Sequence, residues 1–65
     1  MLIVKEVRDF TTLGRVDGLL SGAGFAFSSV LDPDTGTDTL SFQGIDQEQK
    51  AAFLLIDHDF AVVAA

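Results

Sequence analysis

The sequence predicts an α+β domain with its elements in the order βαββαβ. Short apolar or alternating runs recur four times, two stretches repeat apolar residues at helical spacing, and turn residues separate them. At 65 residues the chain is expected to form one domain, 1–65, near the lower size limit for folding unaided. It has no Cys, so neither a disulfide nor a Cys-based zinc site can staple it. Unstapled chains of this size often find further burial by oligomerising, and a homo-oligomer is expected.

Leu2–Val7 is rich in β-branched residues and suits a central strand. Arg8–Thr12 reads as a corner in which Thr11 or Thr12 can cap the next helix by accepting a free backbone N–H. From about Thr12 to Ala23, residues Leu13, Val16, Leu19, Leu20 and Ala23 share one helical face, and Gly22 and Gly24 offer a stop. Phe25–Leu31 alternates, with Phe25, Phe27 and Leu31 on one side and Ala26, Ser28 and Val30 on the other. Asp32-Pro33-Asp34-Thr35-Gly36-Thr37 is turn chemistry, because proline presets φ and glycine accepts φ > 0.

Asp38–Ile45 alternates again, with Leu40 and Phe42 opposite Thr39, Ser41 and Gln43, which completes a hairpin. Asp46 is placed to open a second helix, with Gln49 at the spacing of a capping box. Ala52, Leu55 and Ile56 make the inner face of that helix, with Phe53 alongside. Asp57-His58-Asp59 ends it and Phe60–Ala64 is a last strand. For so short a chain this order implies a ferredoxin-like sandwich, a four-stranded antiparallel sheet with both helices on one face.

The formal charge is -6, and the basic residues Lys5, Arg8, Arg15 and Lys50 are scattered. Nucleic-acid and anionic-membrane partners need clustered cations and are not expected. Met1–Val4 is too short for the apolar region of a signal peptide, and no run approaches a membrane span, so a cytoplasmic protein is expected. No nucleophile stands in a visible arrangement with a base. Gly18…Gly24 lies within and at the end of a helix instead of opening one, unlike a dinucleotide fingerprint. Neither catalysis nor a cofactor is expected.

Three stretches carry a family resemblance: Leu13-Gly14-Arg15-Val16, Leu19-Leu20-Ser21-Gly22-Ala23-Gly24-Phe25, and Asp59-Phe60-Ala61-Val62-Val63. Together, in this order, the chain resembles an ACT domain, a small regulatory module that commonly binds amino acids. The family's Pro-Gly before the first helix is here Phe10 and Thr11, and its frequent Asn at the start of the second strand is here Ala26. The resemblance implies a ligand-sensing role, with an amino acid or similar small carboxylate held between subunits at Asp9, Phe10, Thr11, Thr12, Leu13 and Ala26.

The residues themselves allow two readings of the Asp9–Leu13 corner. A helix N-terminus suits a carboxylate ligand, or the corner is an ordinary cap with Phe10 closing the core. Gly14, Gly18 and Gly22 share a helix face and form either a close-approach interface for a partner helix or an exposed, weakly stabilised side. Asp32, Asp34, Gly36 and Asp38 have part of the outline of a calcium loop. They lack its third acidic ligand and distal Glu, and read as a solvated acidic tip. His58, between two Asp, reads as a helix-ending residue, since no second His or Cys accompanies it as a ligand. The alternatives to ligand sensing are a small acidic protein-binding module or inhibitor, and a structural assembly unit.

Overall fold

The computed structural model describes residues 1–64; Ala65, the last residue of the expected domain, lies outside them. The elements are β1 (Leu2–Val4), α1 (Phe10–Gly22), β2 (Phe27–Asp32), β3 (Thr37–Phe42), α2 (Ile45–Asp57) and β4 (Val62–Ala64). The strands form one antiparallel sheet in the order β2-β3-β1-β4. This is the ferredoxin-like βαββαβ arrangement.

Register decides what each sheet face carries. Leu2 pairs with Leu40 and Val4 with Asp38, while Ser29 and Leu31 oppose the same two β3 residues from β2. This face meets both helices: Leu2, Val4 and Leu40 join Val7, Val16 and Leu20 with Ala51 and Leu55 in one buried core. Burying each such Val or Leu contributes roughly 1.5–3 kcal/mol. On the other face Val63, Ile3, Thr39 and Val30 stand in one row across all four strands, and no helix covers them.

The first strand is shorter than its composition implies. Glu6 lies in the left-handed region at φ 64°, between a bond from the Lys5 N–H to the Ala61 carbonyl and one from the Val7 N–H to the Gly36 carbonyl, both 2.8 Å. Strict alternation after Leu2 and Val4 would send Glu6 inward. The left-handed residue breaks that alternation, and Val7 is buried instead.

The helix ends also depart from the sequence reading. α1 starts at Phe10, and its N-cap is Asp9, not Thr11 or Thr12. At the other end Gly24 takes φ 88°. The Gly24 N–H donates to the Ser21 carbonyl and the Phe25 N–H to the Leu20 carbonyl, which is a Schellman motif. Ala23 is therefore an exposed cap residue and not part of the inner face.

α2 is capped by Gly44 with no side-chain bond, so Asp46 sits within the first turn and the expected capping box does not form. The inner residues of α2 are Ala51 and Leu55, whereas Phe53 and Ile56 are exposed. The helix closes with the same Schellman bonds, from the Asp59 N–H to the Ile56 carbonyl and from the Phe60 N–H to the Leu55 carbonyl. Here Asp59 takes the left-handed position at φ 66°.

Candidate functional site

The corner before α1 is a helix N-terminus whose anion position is filled from within. Asp9 is extended, at φ -142° and ψ 165°, and its Oδ1 accepts the Thr12 N–H at 2.7 Å. Hydrogen bonding from Thr12, first its backbone N–H and then its side chain, holds the Asp9 carboxyl below the ordinary carboxylate range. The Thr11 N–H adds to the same effect. The Leu13 N–H is taken by the Asp9 carbonyl at 3.1 Å. A carboxylate belongs at this corner, and the chain supplies its own.

The other corner residues divide between solvent and core. Phe10 is 83% exposed, so it does not close the core. Leu13 is half-buried against the core cluster. Behind the corner, Arg8 lies over Gly36 of the β2–β3 turn, its side-chain atoms 3.1–3.2 Å from where a Cβ would stand. The corner thus adjoins the turn end of the hairpin.

Ala26 belongs to the opposite end. It precedes β2 and, with Phe27, Ser28, Ser41, Phe42 and Gln43, lines an open groove of about 340 Å³. Phe27 stacks on Phe42 at 6.0 Å between ring centroids and Phe25 meets Phe42 edge-on at 6.1 Å, an aromatic cluster that packs against the core at this end of the hairpin. A strand of six residues separates Ala26 from the turn, roughly 20 Å at 3.3 Å per residue. One chain does not bring Ala26 to the Asp9–Leu13 corner.

Gly14, Gly18 and Gly22 are exposed, and a Cβ built on any of them meets nothing within 4 Å. Within the chain, nothing requires glycine at these three positions. The acidic residues of the hairpin do not converge. The Asp32 Oδ1 accepts the Asp34 N–H at 3.0 Å, an Asx turn, while Asp38 is fully buried on the helix side of β3. Asp38 is therefore no part of a solvated tip. Among the described residues no group of three or more His, Cys, Asp or Glu could hold a metal ion, and no helix is long and apolar enough to cross a membrane.

The pair that sequence reasoning missed is Asp17 and Asp38. Asp38 follows a turn and looks like loop chemistry, but period two places it on the same face as Leu40 and Phe42. Asp17 stands four residues after Leu13 and three before Leu20, on the inward side of α1. Both signals were present in the spacing. No family model, curated protein or solved structure matches the chain.

Proposed function

We propose that the chain is a non-catalytic module that works by association, first with a second copy of itself. The observation supporting this is the outer side of α2. There Ile45, Phe53 and Ile56 are 69%, 69% and 52% exposed. At about 100° per residue they fall within a stripe roughly 80° wide. Large apolar side chains gathered on one exposed helix side are characteristic of interaction surfaces. Light scattering across a concentration series tests the reading. The expected result is a mass above the monomer that reverts to the monomer in Phe53→Glu. A monomer at every concentration overturns it.

A second reading, a ligand-sensing regulatory domain of the ACT type, is favoured by the groove at Ala26. Its Ser28, Ser41 and Gln43 offer hydroxyl and amide partners, and Phe27 and Phe42 complete its lining. A carboxylate ligand at the α1 corner would have to displace Asp9, so on this reading the ligand binds first in the groove. Thermal-shift measurement against individual amino acids tests it, because a bound ligand raises stability by mass action. The expected result is a saturable rise that is lost in Ser28→Phe. No rise with any amino acid defeats this reading and leaves the first untouched.

A further inference from the structure

Two carboxyl groups turn an oxygen into the layer between α1 and the sheet, near enough for the charge of one to act on the other, and among the described residues neither is in a salt bridge. Asp38 is completely buried; its Oδ1 accepts the Ser29 hydroxyl at 2.5 Å, while its enclosed Oδ2 has no partner. Asp17 reaches in from α1, and its Oδ1 is likewise enclosed and unpartnered. An unpartnered buried polar atom is costly, and two of like charge close together are costlier.

The surrounding elements offer no relief. β1 presents Leu2 and Val4, β2 presents Ser29 and Leu31, α2 presents Ala51 and Leu55, and the segment before α1 presents Val7. None of these titrates. The charged groups of the same elements are placed elsewhere. Lys5, Glu6, Arg8 and Asp9 are exposed, as are Asp46, Lys50, Asp57 and His58 of α2 and its end. Asp32 lies on the opposite face of β2 from Leu31. Arg15 stands 5.7 Å from the Phe60 ring centroid, and Glu48 pairs with the Met1 amine.

We propose that Asp17 and Asp38 form a proton-operated latch that seats α1 on the sheet. With a proton on Asp17 that carboxyl is neutral and the helix is fully seated. When the proton leaves, a charge develops on the partly buried Asp17 carboxyl and the seat loosens. Burial, and then the charge of Asp38, push the Asp17 carboxyl above its ordinary value of 3.8.

The sign of the effect on stability follows from that direction. The folded chain holds the Asp17 proton to higher pH than the unfolded chain does. Its contribution is therefore complete below the ordinary carboxylate pKa and is lost as pH rises through the raised one. Asp9 has the opposite sign: its capping contribution is present above the ordinary pKa and lost as pH falls through the depressed one. α1 is held most firmly in the acidic window between the two.

A carboxyl-carbon NMR titration of the intact protein, with thermal melts from acidic to slightly alkaline pH, tests the latch. The expected Asp17 midpoint lies clearly above that of exposed Asp34 in the same spectra, and Asp38→Asn moves it back towards Asp34. The wild-type melting temperature falls by several degrees as pH rises through the Asp17 midpoint. Asp17→Asn keeps the shape without the charge, so it loses that fall and melts higher at neutral pH. Asp34→Asn removes one charge from the exposed turn and keeps the fall, which controls for general repulsion in an acidic chain. If Asp38→Asn does not fold, the Asp17→Asn melts decide the matter. An Asp17 midpoint equal to that of Asp34, or the same pH dependence in Asp17→Asn and Asp34→Asn, overturns the latch.

Discussion

The two helices are each 13 residues long, lie on the same face of one sheet, and end in the same hydrogen-bonded motif, yet they are built from opposite materials. α1 has a side-chain cap in Asp9 and a glycine, Gly24, at its left-handed exit, but it carries Gly14, Gly18 and Gly22 within its length. α2 has no glycine within it, no side-chain cap, and an aspartate at its left-handed exit. One helix is strong at its ends and weak along its length, and the other is the reverse. Packing is what they share: Val16 and Leu20 from α1 meet Ala51 and Leu55 from α2 in a common core. Local propensity can be poor in different places as long as the buried face is complete.

The comparison breaks at its shared part if the two buried leucines are unequal. Leu20→Ala and Leu55→Ala are each expected to cost about 2–5 kcal/mol, the range for emptying a closed core. In so small a domain either change should abolish a cooperative melt by circular dichroism. A folded Leu55→Ala beside an unfolded Leu20→Ala would show that α2 is dispensable to the core.

The exits come next. Gly24→Ala is expected to cost about 1–2 kcal/mol, because an L side chain is strained in the left-handed region. Asp59→Gly removes a milder version of that strain and should stabilise by up to about 1 kcal/mol in denaturant melts. Destabilisation by Asp59→Gly would mean the aspartate side chain supports the turn in its own right.

Helix interiors give a somewhat smaller effect. Gly18→Ala should stabilise by about 1 kcal/mol, since the added Cβ has open space around it. Gly18→Leu should do nearly the same and leave the oligomeric mass unchanged. Loss of oligomer in Gly18→Leu would mark the glycine side, and not the outer side of α2, as the place where copies meet.

Capping gives the smallest change. Supplying the cap that α2 lacks, by Gly44→Asp, should raise stability by a few tenths of a kcal/mol. Removing the cap of α1, by Asp9→Ala, should lower the melting temperature measurably. It should also reduce the loss of stability in acid that Asp9 contributes.

Much of this architecture was legible because alternation and helical spacing are properties of the chain itself. Phe25, Phe27 and Leu31 face inward together as their spacing demands, and so do Leu40 and Phe42. The inner face of α2 was legible only in part: Leu55 is buried and Ala52 packs against the core, but Ile56 and Phe53 are exposed. Residues 51–56 are apolar without a break, so periodicity cannot choose among their faces, and the sheet selects Ala51 and Leu55 over Ile56. Glu6 and Asp59 were invisible as left-handed positions because only glycine advertises that conformation. At the start of α1 spacing pointed to Thr11 or Thr12 as the cap, and could not say that Asp9 would fill that place.

β1 is central, and Leu2 pairs with Leu40 on one side and Ala64 on the other. Both partners are distant in sequence, whereas β2 and β3 close across the short 33–36 turn. The hairpin can therefore form on its own during synthesis. Leu2–Val4 has no neighbour until β3 has been made, and lacks its second until β4 follows. Doubling a closed loop adds only about 0.6 kcal/mol of entropy cost, so the delay is one of order and not of final stability. For that interval β1 of one chain can pair with the hairpin of another as well as with its own, which leaves strand exchange open as a misfolding route.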